Sequence, residues 1–226
     1  MILLVAMTWF GINTKSAIYT KPIVAMSESQ SEVNINSFLH KAAGTNKDLN
    51  LLIEAIEKDT SNLNSITALK NAGQQSKIDI FTAYALYLEG IIKKDINLVQ
   101  QSANLFFETG THDPDTLVDK TTYQVYAIRA CDFILKTNPK NIESIVRKAT
   151  AIVYFGGDIM SGVGLLKQAE LLDSNYTDAQ HHLMLLDLQS GQYKKAEKRL
   201  KKLVHLQPEN QQYSDLLLKL ETQQIK

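Results

Sequence analysis

A shift of 34 residues lays the stretch 143–176 onto 177–210. Self-similarity at a fixed period constrains the fold more than any single motif, because each unit must be the same small structure stacked on its neighbour. Gly157 falls on Gly191, Ile159 on Tyr193, Gly162 on Ala196, Leu166 on Leu200, Ala169 on Leu203 and Leu172 on Leu206. The turn Asp173-Ser174-Asn175 falls on Gln207-Pro208-Glu209. A second shift extends three apolar columns: Ile145, Ala179 and Tyr213; Ala149, Leu183 and Leu217; Ile152, Leu186 and Leu220. Within each unit the apolar positions recur every three or four residues, the spacing of one helix face. Each unit therefore reads as two helices joined by a turn, with Gly162, Ala169 and Ala196 small enough for close helix approach. Gly162 and Gly164 each cost about 1 kcal/mol in helix propensity relative to alanine, which calls for an offsetting contact.

Upstream of the repeats the chain reads as further amphipathic helices. Ile35, Phe38, Leu39 and Ala42 share a face before Gly44, a suitable left-handed terminator. Leu49, Leu52, Ile53 and Ile56 mark a second helix, and Ile66 and Leu69 a third that stops near Gly73. Phe81, Ala85, Leu88 and Ile92 mark a fourth, broken at Lys93-Lys94-Asp95, and Asp95 can cap a fifth bearing Val99, Ala103 and Phe106. Gly110 is expected to end that helix, and Thr111-His112-Asp113-Pro114-Asp115 to form a loop. A long helix then runs to Asn138-Pro139, where proline forbids continuation. No sustained alternation argues for strands, and a chain with Gly 10 and Pro 4 has few turn formers.

The two units resemble tetratricopeptide repeats, a family of 34-residue helix-turn-helix units. Gly191-Gln192-Tyr193 matches at the inter-helix turn, Ala196, Leu200 and Leu203 match on the second helix, and Pro208 matches at the closing turn. The first unit matches at Gly157-Asp158, Leu166, Ala169 and Asp173, with Ser174 where proline is usual. The resemblance implies an all-α right-handed superhelix of antiparallel helical hairpins, closed by a capping helix over 211–223. Residues 83–108 read as a degenerate unit, and the long helix after them has no evident first-helix partner. The chain divides into an N-terminal apolar segment and linker at 1–31, a helical region with degenerate repeats at 32–138, and two repeats with a cap at 139–226.

In such a stack the first helix of each pair lines the inner face. If Ile145, Ala149 and Ile152 point into the core, the opposite side of that helix presents Arg147, Ala151 and Tyr154. The next first helix presents Asp178, His181, Leu185 and Leu188, and the cap presents Asp215 and Lys219. These nine residues form a predicted groove, apolar at one end and of mixed charge at the other, suited to a peptide or helix of another protein. The alternatives are that the N-terminal region covers Leu185 and Leu188, or that the chain is a structural subunit or assembly factor of an envelope complex using its outer face. Arg147, Asp178 and His181 do not make the Lys, Arg and Asn set with which some family members hold a C-terminal carboxylate.

Lysine and arginine total 24 and so do aspartate and glutamate, so no global field draws the chain to nucleic acid. Six of the nine residues 194–202 are basic, which predicts a solvated outer face with a weak contact to an anionic surface as the functional alternative. No enzymatic activity, cofactor or metal is expected. The run from Gly157 to Gly162 has the glycine spacing of a P-loop, but Val163 and Gly164 stand where Lys and Ser or Thr are required. His181 and His182 are adjacent and so point to different faces of a helix, unlike a metal pair spaced four apart. His112, Asp113 and Asp115 have the composition of a helix-entry turn. The lone Cys131 sits in an apolar stretch and is expected to pack as a small hydrophobe. The opening run MILLVAMTWFGI fits the apolar core of an export signal, with a short membrane anchor as the alternative, and places the protein outside the cytoplasm, in the periplasm or beyond.

Overall fold

A computed structural model describes residues 35–112 and 120–222. The predicted export segment, Asp113 and Asp115 lie outside the described residues. Among the described residues eleven helices follow one another: α1 Ile35–Ala43, α2 Lys47–Lys58, α3 Leu63–Ser76, α4 Asp79–Lys93, α5 Ile96–His112, α6 Lys120–Thr137, α7 Ile142–Tyr154, α8 Ile159–Leu172, α9 Thr177–Gln189, α10 Tyr193–Leu206 and α11 Gln211–Glu221. Each packs mainly on its sequence neighbours as antiparallel hairpins, and no strand occurs among the described residues. The all-α architecture of stacked hairpins is as expected.

Local chemistry sets the boundaries. Asn46, Asn62, Asn141 and Asp158 occupy N-caps, each accepting from a backbone N–H of the following turn. Asp95 does the same for Asn97 and Leu98. Gly44 is left-handed at the end of α1, as anticipated. Lys77 and Lys94 end α3 and α4 in the same left-handed conformation, each donating its N–H back to a glycine carbonyl, Gly73 or Gly90. These glycines do not terminate their helices. A Cβ on Gly73 would stand 2.6 Å from Thr82 Oγ1, and one on Gly90 2.6 Å from Val99 Cγ2, so both are close-approach points between successive helices.

Three expectations about the middle of the chain are corrected. Gly110 lies within α5, which continues to His112, and its missing side chain makes room for Tyr123 and Phe155, either of which a Cβ would meet within 2.8 Å. The long helix α6 does have a partner: it packs along α5, enclosing Val99, Ala103, Ala130, Cys131 and Ile134 between them. The hairpin at Lys93-Lys94-Asp95 exists, but α5 shares a layer with α7 and contacts it directly. Counted back from the repeats, α5 is thus a first helix, and the alternation of layers is one helix out of step with the predicted 83–108 unit.

The repeat itself is confirmed, with one adjustment. Helices α8 and α10 begin and end 34 residues apart, but the bend between α7 and α8 holds four residues, Phe155 to Asp158, where that between α9 and α10 holds three, Ser190 to Gln192. The left-handed glycines of the two bends are therefore Gly156 and Gly191, and Gly157 is one position further on, buried against Ile152. Ile145, Ala149, Leu166, Ala169, Ala179 and Leu183 form one core between the hairpins. Met184, Ala196, Leu200, Leu203, Tyr213 and Leu220 form the next. Each buried leucine or isoleucine contributes about 1.5–3 kcal/mol, and because both cores draw on adjacent hairpins, neither hairpin could keep its core alone. Gly162 sits at the crossing with α7, where a Cβ would lie 2.5 Å from Val153 Cγ2; Gly164, by contrast, faces open space.

Candidate functional site

The first helices α5, α7, α9 and α11 form the inner layer, and the predicted groove residues sit there, but not all of them face an opening. Ala151 is fully buried and belongs to the large N-terminal core, so it lines no groove. The reason is α5, unrecognised as a first helix in the sequence, which packs against that flank of α7. Arg147 is drawn to the same helix. Its guanidinium lies 4.6 Å from the centre of the Phe107 ring, and its Nε donates to Asn104 Oδ1 at 2.8 Å. Asn104 in turn donates to Glu143, and Ser144 donates to Gln100. This polar ladder closes the Arg147 end.

Tyr154 is likewise engaged. Its ring meets Phe107 edge to face at 5.6 Å, and its hydroxyl lies 3.1 Å from His182 Nδ1. His181, on the next position of α9, turns the other way and places its Nδ1 3.1 Å from the Tyr213 hydroxyl of α11. The adjacent histidines thus serve opposite neighbours, as their helical offset requires. Phe107, Tyr154, His182, His181 and Tyr213 make a continuous aromatic seam that ties four helices of the inner layer together. Burial holds both imidazoles neutral, His182 most strongly, with a pKa depressed to about 3. Burial also raises the Tyr154 and Tyr213 hydroxyls, so neither is an acid or nucleophile at neutral pH. His182 and Tyr213 could have been suspected from the sequence only by pairing first helices across the layer.

The other predicted residues lie at the α9–α11 end. Asp178 is exposed, while His181, Leu185, Leu188, Asp215 and Lys219 are half-buried. Leu185 and Leu188 pack on the C-terminal core beside Leu216 and Leu217. Among the described residues that core is drawn from α9, α10 and α11.

On the other layer, the basic run 194–202 is divided in its loyalties. Arg199 turns inward, donating to Asp187 at 2.9 Å, to Glu170 at 2.6 Å and to Gln180 at 2.7 Å. Lys202 donates to the Ser174 carbonyl, and Lys201 pairs with Glu197 and Glu221. Cys131 is buried, which pushes its thiol up to about 12. Among the described residues no cluster of His, Cys, Asp and Glu could hold a metal ion, and no helix is long and apolar enough to cross a membrane. No protein-family profile matches the chain, and no curated protein matches it.

Proposed function

We propose that this protein is a non-catalytic scaffold of tetratricopeptide-type hairpins, exported from the cytoplasm, that holds a peptide or helix of another protein against α9 and α11. One observation supports the reading above others. Leu185 and Leu188 leave part of their surface uncovered on α9, bordered by exposed Asp178 and by Asp215 and Lys219 on α11. An apolar strip with a charged border is the common form of a helix-binding surface. Ala151 plays no part in contact, because it is fully buried, and the side chains of Arg147 and Tyr154 are engaged with α5 through Phe107; Lys219 and the two aspartates set the polarity of the bound segment.

The test is photo-crosslinking from a benzoylphenylalanine placed at Leu185, in the native host, with the same probe at exposed Leu51 on α2 as control. A partner captured at 185 and absent at 51, and lost when Leu188 is changed to Glu, is the expected result. Capture that survives Leu188→Glu would remove α9 from the interface. Mass spectrometry of the mature N-terminus tests export, since an intact Met1 argues against cleavage.

A further inference from the structure

The outer faces of α8 and α10 are related by the 34-residue repeat, yet they carry different chemistry. The outward positions of α8 are Met160, Gly164, Lys167 and Leu171, and their equivalents on α10 are Lys194, Lys198, Lys201 and His205; all eight are exposed. Leu171 is 88% exposed and Met160 71%, the two most exposed large apolar side chains of the described residues. Lys194 and Lys198 make no ion pair among the described residues. Arg199 of α10 pairs with Glu170 of α8, and Lys202 of α10 donates to the Ser174 carbonyl just beyond α8, so the exposed apolar pair Met160 and Leu171 and the lysines of α10 lie on the same side of the stack.

We infer that this α8–α10 face seats on an anionic lipid bilayer, with Met160 and Leu171 entering the headgroup region and Lys167, Lys194 and Lys198 facing lipid phosphates and carboxylates. One observation selects a membrane over an acidic protein segment. The apolar side chains stand out from a helix ridge instead of lining a groove, and peptide recognition by helical proteins uses a groove that encloses the anchors. A bilayer needs no such shape, only protruding apolar groups and nearby cations. At 14 residues α8 is too short to span the hydrocarbon core, which takes about 20, so the contact is peripheral. The inference is independent of the inner-layer reading, which concerns α9 and α11.

The experiment uses the full chain carrying Leu171→Cys labelled with an environment-sensitive nitrobenzoxadiazole dye; buried Cys131 does not compete for label. A second sample carries the label at Leu51→Cys on α2. Vesicles of phosphatidylcholine with and without phosphatidylserine are titrated, alongside polyglutamate as an acidic polymer. The expected result is a blue shift at position 171, and not at 51, on phosphatidylserine vesicles only. Affinity should fall about tenfold or more in the Lys194→Glu/Lys198→Glu variant, since each cation near an anionic surface contributes at about the level that changes affinity several-fold. Circular dichroism of that variant, whose substituted side chains are fully outward, checks folding. Equal shifts at 171 and 51, binding unchanged by the charge reversal, or a shift with polyglutamate in place of vesicles would each overturn the inference. The first two would assign any vesicle binding to another part of the chain, and the last would assign the face to an acidic protein.

Discussion

Tyr154 on α7 and His182 on α9 meet across the inner layer with the hydroxyl 3.1 Å from Nδ1 and the rings 5.7 Å apart, edge to face. The groups facing His182 are Tyr154 and the more distant Arg147 from α7 and His181 on its own helix, with no carboxylate among them to favour a proton. His181 faces Tyr213 of α11 and has only Asp178 to draw a proton. Burial dominates in both, and both pKa values fall.

Stability should therefore decline with acid. A histidine that titrates near 6.5 unfolded and about 3 folded binds its proton only in the unfolded chain between those values. Its contribution is complete above about pH 6.5 and is lost as pH falls toward 3, at up to about 1.4 kcal/mol per pH unit. Melting temperature measured between pH 7.5 and 5 should drop steeply in the wild type and less steeply in His182→Phe, whatever that variant's stability at neutral pH. Parallel curves for the two proteins would show that His182 is not a buried neutral group.

Two glycines about half a helical turn apart in α8 should respond in opposite senses. Gly162 has no room for a side chain, with Val153 Cγ2 2.5 Å and the Ala149 carbonyl oxygen 3.1 Å from where a Cβ would lie. Gly162→Val should lower stability by about 1–3 kcal/mol through overpacking. Gly164 has nothing within 4 Å of that position, so Gly164→Ala should raise stability by about 1 kcal/mol through backbone entropy. Urea midpoints of the two variants check both signs.

Cys131 should be chemically silent in the folded protein. It is fully buried between α5 and α6, and burial pushes its thiol up to about 12, far from the thiolate needed for attack. Reaction with Ellman's reagent should follow the unfolding curve in urea and be negligible before it. Prompt labelling without denaturant would mean that α5 and α6 separate readily.

The period of 34 was legible because small and apolar residues recur in fixed columns, and the second helices obey it to the residue. The one-residue excess in the Phe155 to Asp158 bend was not legible, since an ungapped shift aligns Gly157 with Gly191 and passes over Gly156. The phase of the N-terminal helices was hidden by their turns. Gly73 suggests a stop, whereas the left-handed residue is Lys77, and Gly73, like Gly90 seventeen residues on, is a contact point between helices. Without that phase, α5 could not be set beside α7, so Arg147, Ala151 and Tyr154 read as a free surface. Helical angles place the root of a long side chain but not its tip: Arg147 reaches Phe107 and Arg199 reaches α8 and α9, each across a gap invisible to a single-helix projection.

Arg199 provides the sharpest contrast with its lysine neighbours. Only 16% of its side chain is exposed, and it serves Glu170, Asp187 and Gln180 at once from three nitrogens. Asp187 is itself 13% exposed, so removing the guanidinium leaves a carboxylate held out of water without its cation. Hydrogen bonding to Arg199 holds the Glu170 carboxyl below its usual range, a sign that the pair is ionised in the fold. Arg199→Ala should cost about 2–4 kcal/mol. Lysine should recover little of this, because one ammonium cannot span the geometry of the planar fork. Lys198→Ala, one position away and outward, should change stability by less than about 0.5 kcal/mol. Denaturant midpoints for the three variants decide the matter: an Arg199→Lys protein as stable as wild type would reduce the site to simple charge pairing, and an Arg199→Ala protein no weaker than Lys198→Ala would mean that the three-helix network contributes nothing to holding the repeats together.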